Sequence, residues 1–330
     1  MKALFRLVLL ALCAVALAGG YVLYRLNQPY KGFTEPVFVD FPHGTATGEI
    51  ASELSRKGVL QCRWTFLAAR ALHRGARLQA GEYKFDKPAT PLEIYGRITR
   101  GDIYYVELLV PEGFNIFEIA GAIAKLGMLK SEAFLAAAKN PAMIRDLDPK
   151  AESLEGYLFP NKYRVYRHTT APQLCRQMTN EFRAQWRSLA TKADAHDTVT
   201  LASLVEREAK LPKERPEVAS VFHNRLRIGM KLDCDPTTVY AALLENRYRG
   251  TIYRSDLEST NPYNTYQKKG LPPGPIASPG LGAIQAALAP AETPFLYFVA
   301  KADGSGGHNF SDSLARHEAA VASYRRVTHR

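Results

Sequence analysis

Residues 42–60, PHGTATGEIASELSRKGVL, align without a gap on residues 111–129, PEGFNIFEIAGAIAKLGML. The two stretches share a Pro and a Gly at their start, Glu-Ile-Ala in the middle, a later apolar position, and a closing Gly and Leu. The likeness continues as FLAARAL from Phe66 against FLAAAKN from Phe134, then GEYKF from Gly81 against EGYLF from Glu155. A duplication of this length constrains the fold strongly, because each copy must close a small core of its own. Two copies are too few to stack into a solenoid. Breakers and periodicity give each copy the order strand, helix, helix, strand, helix, over roughly 70 residues.

The local signals agree with that order. PVFVDF, residues 36–41, alternates as a half-buried strand. Ile50, Leu54 and Val59 then mark one helical face, and Gly58 supplies a left-handed stop. TPLEIYGRITRGD, residues 90–102, reads as a helix with Thr90 as N-cap and Pro91 in its first position.

Ahead of the repeat, LVLLALCAVALAGGYVLY, residues 7–24, runs 18 residues without a charge, about enough to cross a hydrocarbon core as a helix. Tyr21 and Tyr24 fall at one expected interface, and Arg6 and Arg25 flank the segment. Lys2 and Arg6 would hold residues 1–6 in the cytoplasm and place the rest of the chain outside it. The rival reading is a cleaved signal peptide, for which Ala16, Ala18 and Gly19 are small enough. An uncleaved anchor is the reading adopted, since the apolar run continues past those residues. NQPYKGFTEP, residues 27–36, reads as a polar linker off the membrane, within a linker region taken as 25–36.

Export decides what the charge means. The 330 residues carry 43 Lys plus Arg against 32 Asp plus Glu, a net charge of +11 that suits nucleic acid, anionic lipid or acidic wall polymers. An exported body excludes nucleic acid as a partner. Cys13 lies in the apolar segment, whereas Cys62, Cys175 and Cys234 are widely spaced and show no metal-binding pattern. An odd number of exported cysteines argues against a disulfide framework, and they read as small buried hydrophobes.

Past residue 180 the repeat is lost and polar motifs concentrate. TVTLASLVEREAK from Thr198 reads as a helix started by Thr198 and Thr200, and RPEVASVFHNRLRIG from Arg215 as one closed by Gly229. DPTTVYAALL opens with Asp235 as cap, and YNTYQKKGLPPGPIASPG, residues 263–280, is a long Gly- and Pro-rich loop of the kind that carries function. SPGLGAIQAAL follows as a capped helix, FLYFVA as a buried strand, GSGGHNF as a turn and strand, and SLARHEAAVASYRR as an amphipathic helix.

Two glutamates stand out in the first of these helices. On a wheel, Glu206 falls between Val199 and Ala202, and Glu208 between Leu201 and Leu204, so neither has a fully polar face. A carboxyl sheltered there would hold its proton to higher pH and could act as an acid at neutrality. The alternative is a structural ion pair with Arg207, Lys210 or Lys213, and wheel geometry does not choose between the two glutamates.

LASLVEREA from Leu201, NRLRIGMKL with DPTTVY between Asn224 and Tyr240, the loop 263–280, LYFVAKADGSGGHNFSDSLARHE from Leu296, and LEGYLFPNKY from Leu154 occur together in one order. Together these five strings resemble the YceG-like endolytic murein transglycosylases over nearly all of residues 37–325. Asp233 stands where that family usually has Gln, and Cys234 where it has Ser or Thr. The resemblance implies a mixed α+β chain: a transmembrane helix at 7–24, a LysM-like module at 37–105, and a larger catalytic domain at 106–330 that opens with the second copy of the repeat.

It further implies a lyase of cell wall biogenesis, bound to the inner membrane with a periplasmic body. Such an enzyme breaks the β-1,4 bond between N-acetylmuramic acid and N-acetylglucosamine inside a strand and leaves a 1,6-anhydro end. Glu206 is implied as the catalytic acid and Glu208 as its supporting partner, with neither cofactor nor metal. Asn224, Asn264, Tyr266 and His308 are candidate sugar contacts, Glu155 flanks the cleavage site or serves the fold, and Asp235 is first a helix cap. Arg225, Arg227 and Lys231 read as a solvated face. The expected partners are glycan strands, with a peptidoglycan synthase or a division or elongation protein as candidates. The competing classes are a noncatalytic wall-binding scaffold and a hydrolase pairing Glu206 with Glu155 or Asp235.

Overall fold

The protein is described here by a computed structural model covering residues 1–73 and 75–328. The chain divides into two compact units, Met1–Val106 and Glu107–Arg330, the first of helices with one two-stranded sheet and the second of helices with two-stranded sheets.

The first unit begins with helix α1 (Lys2–Leu26), longer than the uncharged run because Lys2, Arg6 and Arg25 are accommodated at its ends. Its stretch Leu4–Leu26 has a mean hydropathy of 2.3 and is long and apolar enough to cross a membrane. Residues 25–36 do not form a free linker. Leu26 is fully buried, Tyr30 bridges antiparallel to Ala89, and the Gly32 N–H donates to the Gly58 carbonyl at 2.9 Å. Gly58 has φ +71°, and a Cβ there would lie 2.6 Å from the Gly32 oxygen, so both its turn and this close approach require glycine.

Strand β1 (Val37–Phe41), helices α2 (Thr47–Arg56) and α3 (Arg63–Leu72), strand β2 (Gly81–Phe85) and helix α4 (Pro91–Arg100) follow. β1 and β2 pair antiparallel with Val39 opposite Tyr83, so the period-two alternation sends Val39, Phe41, Tyr83 and Phe85 to one face. That face meets Ile50, Leu54, Phe66, Ile94 and Ile98 in a closed core. α4 starts as its sequence predicts: Thr90 Oγ1 accepts from the Glu93 N–H and the Glu93 carboxylate accepts from the Thr90 N–H.

The second unit takes in strand β3 (Val106–Val110), helices α5 (Ile116–Leu126) and α6 (Ser131–Ala138), strand β4 (Asn161–Val165) and helix α7 (Ala171–Ser188), the order seen in the first copy. Helices α8 (Ala195–Glu208), α9 (Arg215–Arg227), α10 (Asp235–Leu244) and the short α11 (Arg254–Leu257) come next. After the long loop stand α12 (Leu281–Leu288), β5 (Tyr297–Ala300), β6 (His308–Ser311) and α13 (Leu314–Thr328). α8 is the axis of this unit, with every residue from Val199 to Val205 buried and α9, α10 and α12 packed on it.

Four local expectations change. α8 starts at Ala195, capped by the Asp194 carboxylate, which accepts from the Asp197 N–H; Thr200 lies fully buried within the helix. Cys234, not Asp235, is the N-cap of α10, and Asp235 is its first helical residue. α12 is led by Gly280 with no side-chain cap, while Ser278 is fully buried. β5 is only half-buried, since it forms a two-stranded ribbon with β6 and not the centre of a sheet.

Candidate active site

The last turn of α8 delivers Glu206 with only 6% of its side chain exposed. The long loop passes across α8 and is fastened in steps. The Ile276 N–H donates to Ser203 Oγ at 3.0 Å, and Ser278 exchanges backbone hydrogen bonds with Gly113 and Phe114. The Gly280 N–H then donates to Glu206 Oε2 at 2.9 Å. The second oxygen, Oε1, accepts from Arg215 Nη2 at 2.7 Å, and the same nitrogen donates to Glu112 Oε2 at 2.8 Å.

Each partner has a sequence-level cause. Arg215 is the first residue of α9, reached after a tight turn at Pro212–Glu214, so its side chain reaches back past the end of α8. Gly280 leaves room for the Glu112 carboxyl, which occupies the space a Cβ would take there. The helix led by Gly280 also turns its positive end toward the Glu206 carboxylate. Burial pushes the Glu206 pKa up. The Gly280 N–H and the Arg215 charge pull against that shift, and the Glu112 charge adds to it. Glu206 is thus a buried acid whose anion already has two donors waiting.

Glu208 points elsewhere, as two residues of helix require. Its Oε1 accepts from Cys234 Sγ at 3.2 Å, and burial first of all raises its pKa to about 7. The Cys234 N–H donates to Thr265 Oγ1, and Tyr266 donates its hydroxyl to Asp235 Oδ1 at 2.6 Å. Glu208, Asp235 and Tyr266 therefore gather around Cys234, apart from the partners of Glu206. Asp235 serves Tyr266 and does not cap a helix.

Other candidates are engaged inside the protein. Asn264 is fully buried; its amide donates to the carbonyls of Asp256, Leu257 and Ser259, and its oxygen accepts from Thr238 and the Tyr266 N–H. It shapes the loop and has no surface to offer a sugar. Asn224 donates to the Thr293 and Phe295 carbonyls and accepts from Arg227, fixing the approach to β5. Arg225, expected on a solvated face, is buried and donates to the Leu296 and Leu232 carbonyls. His308 Nδ1 lies 2.8 Å from Glu214 Oε2, and its backbone N–H donates to the same carboxylate.

Glu155 is 2% exposed. Its Oε2 accepts from the Ile116 N–H at 3.0 Å, so it satisfies an orphan donor in the first turn of α5. Tyr240 lies beside the same carboxyl, and burial raises the Glu155 pKa to about 8.

Arg215, Glu112 and Gly280 escaped the sequence reading, since they approach Glu206 only through the fold. One signal for Glu112 was present in the repeat. The first copy reads Pro-His-Gly at 42–44 where the second reads Pro-Glu-Gly at 111–113, so a carboxylate appears only in the copy that belongs to the second unit.

The sequence profile of the YceG-like family matches residues 39–323. An endolytic murein transglycosylase of Bacillus subtilis (strain 168) is 33% identical over 330 aligned positions, covering 93% of this chain and 90% of that one. An endolytic murein transglycosylase of Streptococcus pneumoniae serotype 2 is 28% identical over 96% of this chain, which spans 64% of that longer relative. The crystal structure of a yceG-like protein from Listeria monocytogenes superposes with a TM-score of 0.57 at 31% identity, covering 87% of this chain and 99% of the other. With a profile spanning most of its length and a relative of this identity aligned nearly end to end, the chain belongs to the YceG-like family.

Proposed function

We propose that this chain is an endolytic murein transglycosylase in which Glu206 is the single acid and base. The observation that carries the reading is the sheltered Glu206 carboxyl, held between the Gly280 N–H and Arg215 in a family whose curated relatives bear that activity in their names. Protonated Glu206 gives its proton to the bridging oxygen as the C1–O bond breaks. The resulting carboxylate is received by Arg215 and Gly280, then takes the proton of the muramic acid C6 hydroxyl as that oxygen bonds to C1. The same carboxyl both gives and regains a proton, no water enters, and the product carries a 1,6-anhydro end. While Glu206 is protonated, Glu112 keeps Arg215 paired.

The remaining assignments follow from that chemistry. Glu208 supports the site from the cluster that also contains Asp235 and Tyr266, and His308, held by Glu214, is the retained candidate for a sugar contact. α1 is read as an anchor in the inner membrane, residues 1–6 cytoplasmic and the two units periplasmic, as the positive-inside tendency favours. The first copy of the repeat is read as a LysM-like module that engages glycan, and a strand-synthesising enzyme is the proposed protein partner.

A second reading has an observation of its own. Glu112 and Glu206 share one guanidinium nitrogen, so a two-carboxylate hydrolase would use Glu112 and not Glu155 or Asp235. Mass spectrometry of digested nascent peptidoglycan tests both. Anhydro ends support the transglycosylase, reducing ends support the hydrolase, and intact strands overturn both.

A further inference from the structure

The first unit carries an apolar pocket that the glycan chemistry does not use. It has a volume of about 230 Å³ and lies between the C-terminal end of α1, through Tyr21, Val22 and Arg25, and the start of α3, through Cys62, Trp64 and Ala68. Trp64 is 62% exposed, and Trp64, Ala68 and Leu72 recur every four residues, forming one stripe along α3 that ends in Leu72, itself 56% exposed. In an ordinary aqueous protein such a stripe is a cost without a return.

The depth of the pocket says what surrounds it. At 1.5 Å per residue, the apolar stretch Leu4–Leu26 is roughly 34 Å long, a little more than the hydrocarbon core. Tyr21 lies five residues from the buried Leu26, about 7–8 Å along the axis, which is the depth of the headgroup layer. Because Leu26, Tyr30 and Gly32 are tied into the first unit, no slack lets that unit rise away from the helix end. Arg25 lines the pocket, and Arg63 stands on the Trp64 that lines it. Arg25 donates to the Tyr21 hydroxyl and to Gln61, and the Arg63 guanidinium stacks on the Trp64 ring at 4.7 Å. An indole with an arginine above it suits the bilayer interface, where the ring meets acyl chain and the cation meets phosphate.

We propose that a lipid of the surrounding bilayer occupies this pocket, with its upper acyl chain against Val22, Trp64 and Ala68 and its phosphate between Arg25 and Arg63. The first unit is thereby seated on the membrane surface and not merely tethered above it. This rests on the reading that α1 spans a bilayer, and the test separates the two claims.

The chain has only two tryptophans, and the other, Trp186, is buried in the second unit. The full chain is reconstituted into phosphatidylethanolamine and phosphatidylglycerol vesicles, with and without brominated acyl chains, and compared with the W64F variant. The expected result is co-flotation of both proteins with the vesicles, and loss of on the order of half of the Trp64 emission on bromination, seen as the difference between wild type and W64F. Co-flotation with Trp64 untouched by bromine but quenched by aqueous iodide overturns the lipid site and leaves the anchor standing. Failure to co-float removes the anchor and the lipid site together. W186F, which leaves Trp64 as the sole indole, gives the same comparison should W64F not fold.

Discussion

Replacing Glu155 by Gln should make the second unit more stable at alkaline pH, by an amount that grows as pH rises. Glu155 has an ordinary value of 4.5 when unfolded and about 8 when folded, because burial disfavours its charge. Between those values the folded state binds more protons than the unfolded state, so stability falls as pH rises and the loss is complete above about 8. At about 1.4 kcal/mol per pH unit the whole gap is worth roughly 5 kcal/mol, and about 2–3 kcal/mol of it develops between pH 6 and 8.5. Gln keeps an oxygen for the Ile116 N–H and has no charge to bury. Urea unfolding of the full chain in detergent, read by the emission of buried Trp186, measures the difference between the two proteins at each pH. The advantage of E155Q should widen by about 2–3 kcal/mol across that range. Parallel pH dependence in the two proteins would refute the reasoning and place a charged Glu155 in the native state.

Glu112→Gln removes a charge that holds the Glu206 proton on, so the alkaline limb of the pH–rate profile should move to lower pH; an unmoved limb on nascent glycan strands would exclude that coupling. Gly280→Ala puts a Cβ where the Glu112 carboxyl lies, and that half-exposed side chain can swing aside, so Glu112 is parted from Arg215 and the alkaline limb should move in the same direction as in Glu112→Gln. Its melting temperature should stay close to wild type, and a limb left at its wild-type position would contradict the placement. Gly58→Ala combines a left-handed φ with a clash at Gly32 and should destabilise the first unit by about 1–3 kcal/mol, measured by thermal unfolding.

The repeat and its element order are written in local signals: Thr90 and Glu93 cap each other as their spacing implies, and Ile50, Leu54 and Val59 all reach the core. Helix starts were harder. α8 begins just after Asp194 because its exposed carboxylate accepts from the orphan Asp197 N–H, while the threonines that looked like a start are inside the helix. The site was legible only on one side. The wheel offers Glu206 and Glu208 alike and only the resemblance prefers Glu206, whose donors come from the start of the next helix and from a backbone N–H some seventy positions on, and a backbone donor leaves no mark in composition. Asn224 and Asn264 misled for the opposite reason: amides that suit sugars suit backbone carbonyls equally well, and burial decides which they meet. The supposed linker contained no periodicity to show that Tyr30 would bridge to Ala89 and Gly32 bond to Gly58.

The proposed reaction depends on proton transfer at Glu206, and the Glu206→Gln variant tests that transfer directly. Nascent, uncrosslinked glycan strands are incubated with wild type and variant, and the ends are counted by mass spectrometry. Wild type should generate 1,6-anhydro ends, and the variant should generate them on the order of 10³-fold more slowly or not at all, since general acid–base catalysis supplies about 10² to 10⁴ in rate. Anhydro ends formed by the variant at the wild-type rate would contradict it.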